Sequence, residues 1–373
     1  MKPPNGGSLP PMWVKMGEKW GTMDEDLELV STEGAPAAAV GAFLAEAFGD
    51  DSWHNARLKA FSGGKSNLTY LVSSRSQKVV LRRPPLGHVL PTAHDMGREY
   101  HILTALAESA VPVPRPLALC RDEAVIGAPF FVMEHVAGHV VRSEWPPGFA
   151  ARDEDKSLIA RRLMEQLAVL HAVDWRSAGL KDWGRPDGFM ERQLRRWLRQ
   201  WDASETRPLP ELQELHRRLC QVLPRSGKPG IVHGDYRLDN VILDDSEPLR
   251  IAAIVDWEMS TIGDPLSDLG VALAYWPEAS DLPETRAALE GIRAPAPRGW
   301  PTRSEAAGLY GQACGRSLDD IAFYYAFGFF KLAVIFEGIA QRHSQGMTRG
   351  EGFERAGERV PALVALGLDA LGH

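Results

Sequence analysis

The chain reads His233-Gly234-Asp235-Tyr236-Arg237-Leu238-Asp239-Asn240 in its second half, and Ile254-Val255-Asp256-Trp257-Glu258 follows shortly afterwards. An apolar approach over residues 230–232 precedes the first stretch, so its histidine lies at the end of a short buried segment. An aspartate stands two positions after this histidine, and an amide side chain follows five positions after the aspartate. The second stretch delivers another carboxylate after its own apolar run. Together the two stretches present one candidate base and two candidate cation ligands.

These residue types suit phosphoryl transfer, a reaction in which the protein itself does little covalent chemistry. The reaction needs a base for the hydroxyl proton and oxygen ligands that hold magnesium against the nucleotide phosphates. The pattern His-x-Asp-x-x-x-x-Asn with a later Asp supplies this set in the order of the kinase catalytic loop. We predict that Asp235 is the catalytic base and that Asn240 and Asp256 are the Mg²⁺ ligands. We expect His233 to support the loop through hydrogen bonds without taking the proton itself.

Composition and charge narrow the class of protein. The chain has 373 residues, of which 44% are hydrophobic and 24% are charged, so it is long enough for two lobes of ordinary globular composition. The net charge of −7 argues against a nucleic-acid partner, which normally meets a basic surface. The net charge does not exclude binding of a small anionic ligand, because a local basic cluster can oppose the global charge.

The cysteines and the N-terminus predict a cytoplasmic location. The three cysteines are odd in number, widely separated and without metal-ligand spacing, which suits a reducing compartment: Cys120, Cys220 and Cys314. The segment from Met1 to Gly34 is rich in Pro, Gly and charge and lacks the apolar core of a secretory signal. We predict that residues 1–35 form an N-terminal arm that is either poorly ordered or draped over the surface.

The most apolar long segment runs from Ile321 to Ile339. It holds Lys331 near its middle and Glu337 near its end, and both charges are expensive inside a bilayer. We therefore predict a buried helix of a large domain at this position, and no membrane partner.

The order of predicted elements divides the rest of the chain into two lobes. Residues 36–136 show a helix, then strands, a second helix and a further strand, which makes a small lobe that we predict binds the nucleotide. Three prolines at 112, 114 and 116 indicate an extended connector within it. Residues 137–373 are mainly helical and contain the catalytic loop and the predicted substrate site. The pattern predicts a bilobal, protein-kinase-like fold of the α+β class.

A Gly-rich turn between two predicted strands is a candidate phosphate cradle, because free backbone N–H groups can bind phosphate where glycine allows close approach. The candidate residues are Ser62, Gly63, Gly64, Lys65, Ser66 and Asn67, although a plain hairpin turn would look the same. Arg82 ends a predicted strand where kinases place a nucleotide-binding lysine, and Glu99 on the next helix is its natural partner. Arg83 competes for this role, and a solvated ion pair at the strand end is the structural alternative.

Further candidates surround these positions. The segment around Glu134 and Val136 would join the lobes, and its backbone could hydrogen-bond an adenine; a buried strand with its exit turn is equally open. We predict that Asp264 caps a helix beginning at Pro265, and that Asp268 hydrogen-bonds the catalytic loop. Both aspartates would then be structural supports.

The quoted residues resemble the aminoglycoside phosphotransferase family, a branch of the protein-kinase-like fold, from about Phe61 to about Gly338. The chain is more closely similar to the kinase-like domain fused to some acyl-CoA dehydrogenases and to its stand-alone bacterial relatives. Five phrases carry this closer resemblance: Phe61-Ser62-Gly63-Gly64, Leu81-Arg82-Arg83-Pro84-Pro85, Pro91-Thr92-Ala93-His94, Arg98-Glu99-Tyr100 and Gly263-Asp264-Pro265-Leu266. The resemblance implies the roles predicted above for the base and the metal ligands, with arginine where the family usually has its nucleotide lysine.

The resemblance implies a small-molecule kinase that uses ATP, with GTP as an alternative, and Mg²⁺. Members of the closer branch are thought to phosphorylate hydroxyacyl-CoA compounds, so we expect a small hydroxylated acceptor of that kind. An aminoglycoside is the second candidate acceptor, and a nucleotide-binding pseudokinase without turnover is a further alternative. A protein kinase is disfavoured because no Ala-Pro-Glu signal follows Asp256. Four arginines within residues 192–199 could meet a coenzyme A phosphate, although a solvated helix face is the simpler interpretation. The oligomeric state is left open.

Overall fold

The computed structural model describes residues 33–61, 67–86, 95–150, 152–244, 249–346 and 355–372. Within these ranges a small lobe is built on an antiparallel sheet, and a larger lobe is mainly helical. The predicted α+β, bilobal class is therefore confirmed. Residues 1–32 of the predicted arm lie outside the described residues, and the predicted boundary between 136 and 137 stays a prediction.

The sheet of the small lobe has five described strands in the order β1-β2-β3-β5-β4, with every neighbouring pair antiparallel. The strands are β1 (Arg57–Ala60), β2 (Leu68–Ser73), β3 (Lys78–Arg83), β4 (Pro116–Cys120) and β5 (Phe130–Glu134). Helices α1 (Ala37–Phe48) and α2 (Met96–Leu106) cover its two faces. Because side chains alternate along β3, Val80 joins the core on the α2 side, whereas Val79 and Leu81 join the core on the α1 side.

The connector predicted from the prolines is only partly correct. Its last proline, Pro116, opens strand β4, in which Ala118 is paired with Val132 of β5. Proline is tolerated there because β4 is the edge strand of the sheet. The short run Leu117–Cys120 has no alternation of polar and apolar residues, so the sequence alone carried no strand signal.

The helical lobe is organised around α9. Its described helices are α3 (Asp153–Ala172), α4 (Phe189–Ser204), α5 (Pro210–Gln221), α6 (Leu266–Tyr275), α7 (Pro283–Ala288), α8 (Arg303–Cys314), α9 (Ile321–Ser344) and α10 (Val360–Ala370). Helix α9 packs on α4, α6 and α10. It is long and apolar enough to cross a membrane, but 78% of its most apolar window is buried inside the lobe. This burial agrees with the core helix predicted for Ile321 to Ile339.

Two glycines bring α6 and α9 unusually close together. A Cβ atom on Gly270 would lie 2.1 Å from the carbonyl oxygen of Tyr324, and one on Gly328 would lie 2.6 Å from the carbonyl oxygen of Gly270. No larger residue fits at these positions without moving backbone. The close approach of the two helices sets the relative position of Asp268 on α6 and Lys331 on α9, two residues of the site described below.

Two short antiparallel ribbons carry the loops that the sequence singled out. Strand β6 (Gly230–Val232) pairs with β9 (Thr261–Gly263), and β7 (Val241–Leu243) pairs with β8 (Ile251–Ile254). The loop over residues 233–240 joins β6 to β7, and the turn containing Asp256 joins β8 to β9. The backbone N–H of Val255 donates to the carbonyl of Asn240 over 2.9 Å, so the two loops lie side by side.

Candidate active site

The start of the catalytic loop is anchored by one buried carboxylate. Asp268, near the beginning of α6, accepts the backbone N–H of His233 over 2.6 Å and that of Gly234 over 2.8 Å. Gly234 has φ +90°, and a Cβ there would lie 2.7 Å from the Cβ and from the carbonyl oxygen of Met259. The loop therefore requires glycine at this position for its backbone conformation and for space.

His233 is completely buried, and both of its ring nitrogens are engaged. Its Nδ1 accepts the backbone N–H of Asp235 over 3.2 Å, which places the proton on Nε2. That nitrogen lies 3.0 Å from the carbonyl oxygen of Val255 and donates to it. This geometry matches the supporting role predicted for His233, since no ring nitrogen is left to exchange a proton with a substrate.

Asp235 and Asn240 are brought together by the short turn of the loop. The Asn240 amide nitrogen donates to the Asp235 carboxylate over 2.9 Å and to the Asp235 backbone carbonyl over 2.8 Å. Because both amide hydrogens are used in this way, the amide oxygen of Asn240 remains as an acceptor for a cation. The same contact fixes the rotamer of the carboxylate predicted to be the base.

Positive charges surround Asp235. Burial alone would raise the pKa of its carboxyl, but the charges of Arg237 and Lys331 and the hydrogen bond from Asn240 together hold the pKa below its ordinary value. The Arg237 guanidinium lies 3.5 Å from the carboxylate and also pairs with Asp239 over 2.5 Å. The carboxylate is therefore ionised at neutral pH, as a group that orients and deprotonates an alcohol must be.

A buried arginine links the two lobes at Asp256. Arg82 lies 3.1 Å from Glu99 of α2 and 3.0 Å from Asp256, so one guanidinium bridges both carboxylates. Burial raises the pKa of Glu99 to about 7, although the charge of Arg82 opposes this rise. Asp256 has φ +68°, a left-handed conformation that is uncommon for a residue other than glycine. The carboxylate of Asp256 is about one third exposed at this position.

Arg83 points away from this site. Its guanidinium donates to the backbone carbonyls of Gly34 and Ile126, the latter over 3.0 Å, on the α1 side of the sheet. The sequence left Arg82 and Arg83 as competitors for the nucleotide phosphates. The strand alternation directs Arg82 alone of this pair toward Asp256.

The structure describes only some of the remaining residues predicted to bind the nucleotide. Residues 62–66 of the Gly-rich turn, from Ser62 to Ser66, lie outside the described residues. Asn67, at the end of the turn, donates to the Glu258 carboxylate over 3.0 Å and so contacts the segment after Asp256. Val136 packs against the β7–β8 ribbon, whereas the side chain of Glu134 is exposed. Their predicted roles at an adenine stay predictions.

The helix that follows Asp264 begins slightly later than predicted. Helix α6 begins at Leu266, one residue later than expected, with Pro265 preceding it in helical backbone conformation. Asp264 accepts the backbone N–H of Leu266 over 3.1 Å and the hydroxyl of Tyr324 over 2.6 Å. It therefore ties the start of α6 to α9, since Tyr324 belongs to that helix.

A cavity of about 390 Å³ opens beside the catalytic loop. Its walls come from the loop, the segment after Asp256, α2, α4, α6 and α9, and they include Phe189, Gln193, Arg196, Trp197, Gly234, Met259, Phe327 and Lys331. Lys331 is only 4% exposed and donates to the carbonyl of Gly234. The sequence analysis treated Lys331 only as a charge that disfavours a membrane span. A buried lysine within an apolar helix is the signal that could have identified it as a site residue.

The donor set at the junction of the loops suits Mg²⁺. Asn240 offers an amide oxygen, and Asp256 offers a carboxylate on an adjacent loop, both hard ligands of the kind that Mg²⁺ prefers. Two protein ligands are sufficient where phosphate oxygens and water complete the octahedron. The residues present therefore fit the predicted cofactor.

A two-lobed fold with this loop geometry defines a kinase-like phosphotransferase. The chain belongs to the phosphotransferase enzyme family, whose pattern matches residues 57–306. The resemblance inferred from the motifs is thus confirmed. A solved structure from Ralstonia eutropha JMP134, provisionally assigned as an aminoglycoside phosphotransferase, is 33% identical, with a TM-score of 0.75 over 89% of this chain and 97% of that chain.

Other relatives support the same fold. A thermostable mutant of aminoglycoside phosphotransferase APH(4)-Ia, in a ternary complex with AMP-PNP and hygromycin B, covers 88% of this chain and 99% of its own, with a TM-score of 0.56 and 15% identity. Mouse acyl-CoA dehydrogenase family member 11 is 36% identical over 86% of this chain, and mouse family member 10 is 33% identical over 91%. This chain spans 41% and 31% of the length of those two relatives.

Proposed function

We propose that this protein transfers the γ-phosphate of Mg·ATP to a hydroxyl group of a small molecule. The observation that carries the proposal is the Asp235–Asn240 hydrogen bond beside the Asp256–Arg82–Glu99 chain. These contacts bring a candidate base, two candidate cation ligands and a phosphate-binding cation to one place from both lobes. Neighbours of the same fold hold AMP-PNP or ADP, which supports nucleotide as the phosphate donor.

In this proposal, Asp235 accepts the hydrogen of the acceptor hydroxyl and takes its proton as the phosphoryl group moves. Asn240 holds the carboxylate in place through its amide nitrogen. Arg82 is positioned to bind nucleotide phosphate oxygens, with Glu99 fixing its guanidinium. Mg²⁺, when bound by Asn240 and Asp256, would neutralise charge on the phosphates. A cytoplasmic location is part of the proposal, as the three free cysteines suggest.

We propose a hydroxyacyl-CoA or a related hydroxylated metabolite as the acceptor. The similarity to proteins named for acyl-CoA dehydrogenases, over most of this chain, supports a substrate from acyl-CoA chemistry. The cavity beside the loop supports it as well, because aromatic residues such as Phe189 and Phe327 line it together with polar groups. A polycationic aminoglycoside would need carboxylates with free charge in this cavity. The carboxylates that line the cavity are Asp95, Glu99, Glu258 and Asp268, and each of them already accepts a hydrogen bond or forms an ion pair.

The test is ADP release from Mg·ATP in the presence of a 4-hydroxyacyl-CoA, with an aminoglycoside run in parallel and Asp235→Asn as the inactive variant. We expect turnover of the thioester, reduced roughly 10²- to 10⁴-fold by Asp235→Asn because the base is lost. Binding of AMP-PNP to the variant is the control for folding. Full turnover by Asp235→Asn would contradict the assigned base. Nucleotide binding without transfer to either acceptor would favour a sensing protein.

A further inference from the structure

The cavity beside the catalytic loop is lined by charged side chains of both signs. Its carboxylates come from the small lobe, the segment after Asp256 and α6, at Asp95, Glu99, Glu258 and Asp268. Its cations are Arg98 of α2, Arg196 of α4 and Lys331 of α9, the last two beside the ring of Trp197.

These four carboxylates are already engaged. Glu99 is paired with Arg82 over 3.1 Å, and Glu258 accepts a hydrogen bond from Asn67 over 3.0 Å. Asp95 accepts the backbone N–H of Arg98 over 3.0 Å at the start of α2. Asp268 accepts the backbone N–H groups of His233 and Gly234. The four charges therefore hold protein groups and have little capacity left for a cationic ligand.

Of the three cations, Arg98 donates to the backbone carbonyls of Trp183 and Ser260, whereas Arg196 and Lys331 have no carboxylate partner among the described residues. Lys331 is buried, and its Nζ lies 5.5 Å from the centre of the Trp197 ring, while the guanidinium carbon of Arg196 lies 5.6 Å from the same centre. Across the described ranges, no carboxylate lies within ion-pair distance of either group. Burial lowers the pKa of Lys331, with a further contribution from the charge of Arg196, although the charges of Asp235 and Asp268 oppose this shift.

Neighbouring arginines of α4 behave differently. Arg192 donates to the backbone carbonyls of Asp187 and Arg185, and Arg195 lies 3.5 Å from Glu191 on the same helix. Of these three residues, Arg196 alone lines the cavity. Arg196 is exposed, and it is the member of this trio that a ligand in the cavity can reach.

Two like charges near one aromatic ring in a cavity repel each other, and an anion bound beside them offsets that repulsion. We propose that Arg196 and Lys331 form a subsite for a phosphate or carboxylate group carried by the acceptor, a proposal that rests on the proposed function. The bound oxyanion accepts hydrogen bonds from both cations. Lys331 also contacts Gly234, so the subsite aligns the acceptor with the catalytic loop.

Binding to the protein loaded with Mg·AMP-PNP tests this subsite without any need for turnover. Calorimetry would compare three ligands: 4-hydroxypentanoyl-CoA, which carries phosphates, the free hydroxy acid, which carries a carboxylate, and the pantetheine thioester, which carries neither. We expect at least one anionic ligand to bind more tightly than the pantetheine thioester. The stronger of the two anionic ligands identifies the source of the oxyanion.

Arg196→Gln should weaken the binding of that anionic ligand roughly tenfold, as expected for the loss of one charged hydrogen bond at a partly exposed site. Its affinity for the pantetheine thioester should not change. Arg195→Gln is the matched control, because it removes the same charge from the adjacent residue outside the cavity. Arg196 is exposed, so the substitution does not endanger folding.

Three outcomes would overturn the subsite: equal affinities of the wild-type protein for all three ligands, no detectable binding of either anionic ligand, or equal losses in Arg196→Gln and Arg195→Gln. Failure of the proposed function has a different signature. It appears as ADP release that does not depend on Asp235 or on any alcohol, whatever the binding of anions.

Discussion

Gly234→Ala is the substitution for which the structure gives the most definite expectation. Gly234 combines a φ of +90° with close packing against Met259, which leaves no space for a Cβ. An alanine Cβ would lie 2.7 Å from the carbonyl oxygen and from the Cβ of Met259, closer than such atoms normally approach. Relief requires movement either of the catalytic loop or of the turn after Asp256.

The expected loss has two sources. An L-residue with a side chain in the left-handed region costs about 1–2 kcal/mol, and an added methyl group pressed against backbone costs about 1–3 kcal/mol. Together they predict that Gly234→Ala lowers the free energy of unfolding by roughly 2–5 kcal/mol. The displaced loop should also lower turnover, by on the order of 10²-fold for a shift of about 1 Å.

The assay is urea unfolding followed by tryptophan fluorescence, with ADP release measured on the same samples. Gly179→Ala is the matched control, because Gly179 has φ +80° in the same lobe but no atom within 4 Å of its would-be Cβ. It should lose only the backbone contribution of about 1–2 kcal/mol. If the two variants lose the same free energy of unfolding, the overlap with Met259 does not destabilise the protein and the reasoning is refuted.

Two further predictions concern buried carboxylates. Asp268→Asn leaves one of the two loop N–H groups without an acceptor, so we expect the free energy of unfolding, measured in urea, to fall by about 1–3 kcal/mol. ADP release should also become slower. If the variant turned over at the wild-type rate, this anchor would be dispensable. Burial raises the pKa of Glu99 to about 7 in the folded protein, from an ordinary value of 4.5. The folded state then binds more protons than the unfolded state between these values, so this group makes the protein less stable as pH rises, by up to about 3 kcal/mol. Glu99→Gln should remove that slope in urea unfolding at pH 5 and pH 8, and an unchanged slope would assign it to other groups.

Much of the fold follows from local patterns. The alternation along β3 and the apolar runs before His233 and Asp256 are strong signals, because period and composition agree over several residues. The sequence does not predict strand β4, because its first residue, Pro116, belongs to a run of prolines that indicates a connector, and only pairing with β5 makes it a strand. Such pairing is a tertiary property that the segment itself does not encode.

The site residues also differ in whether local sequence or tertiary packing brings them together. Asp235 and Asn240 lie five residues apart on one loop, so their spacing alone predicts that they meet. Lys331 is distant in sequence from Gly234, and nothing local places it beside the catalytic loop. Arg82 and Arg83 occupy opposite faces of one strand, as alternation requires, but the face that meets Asp256 is decided by how the lobes are joined.

The backbone of Asp256 has an evolutionary consequence. Its φ of +68° is strained for most residues, but asparagine tolerates the left-handed region about as well as aspartate does. Asparagine is also nearly isosteric with aspartate, so it would preserve the fold while removing the negative charge. Under the proposed function, Asp256→Asn is therefore the substitution that removes the charge of a metal ligand with the least backbone strain. A relative that carries asparagine here is then expected to fold and to bind Mg²⁺ weakly.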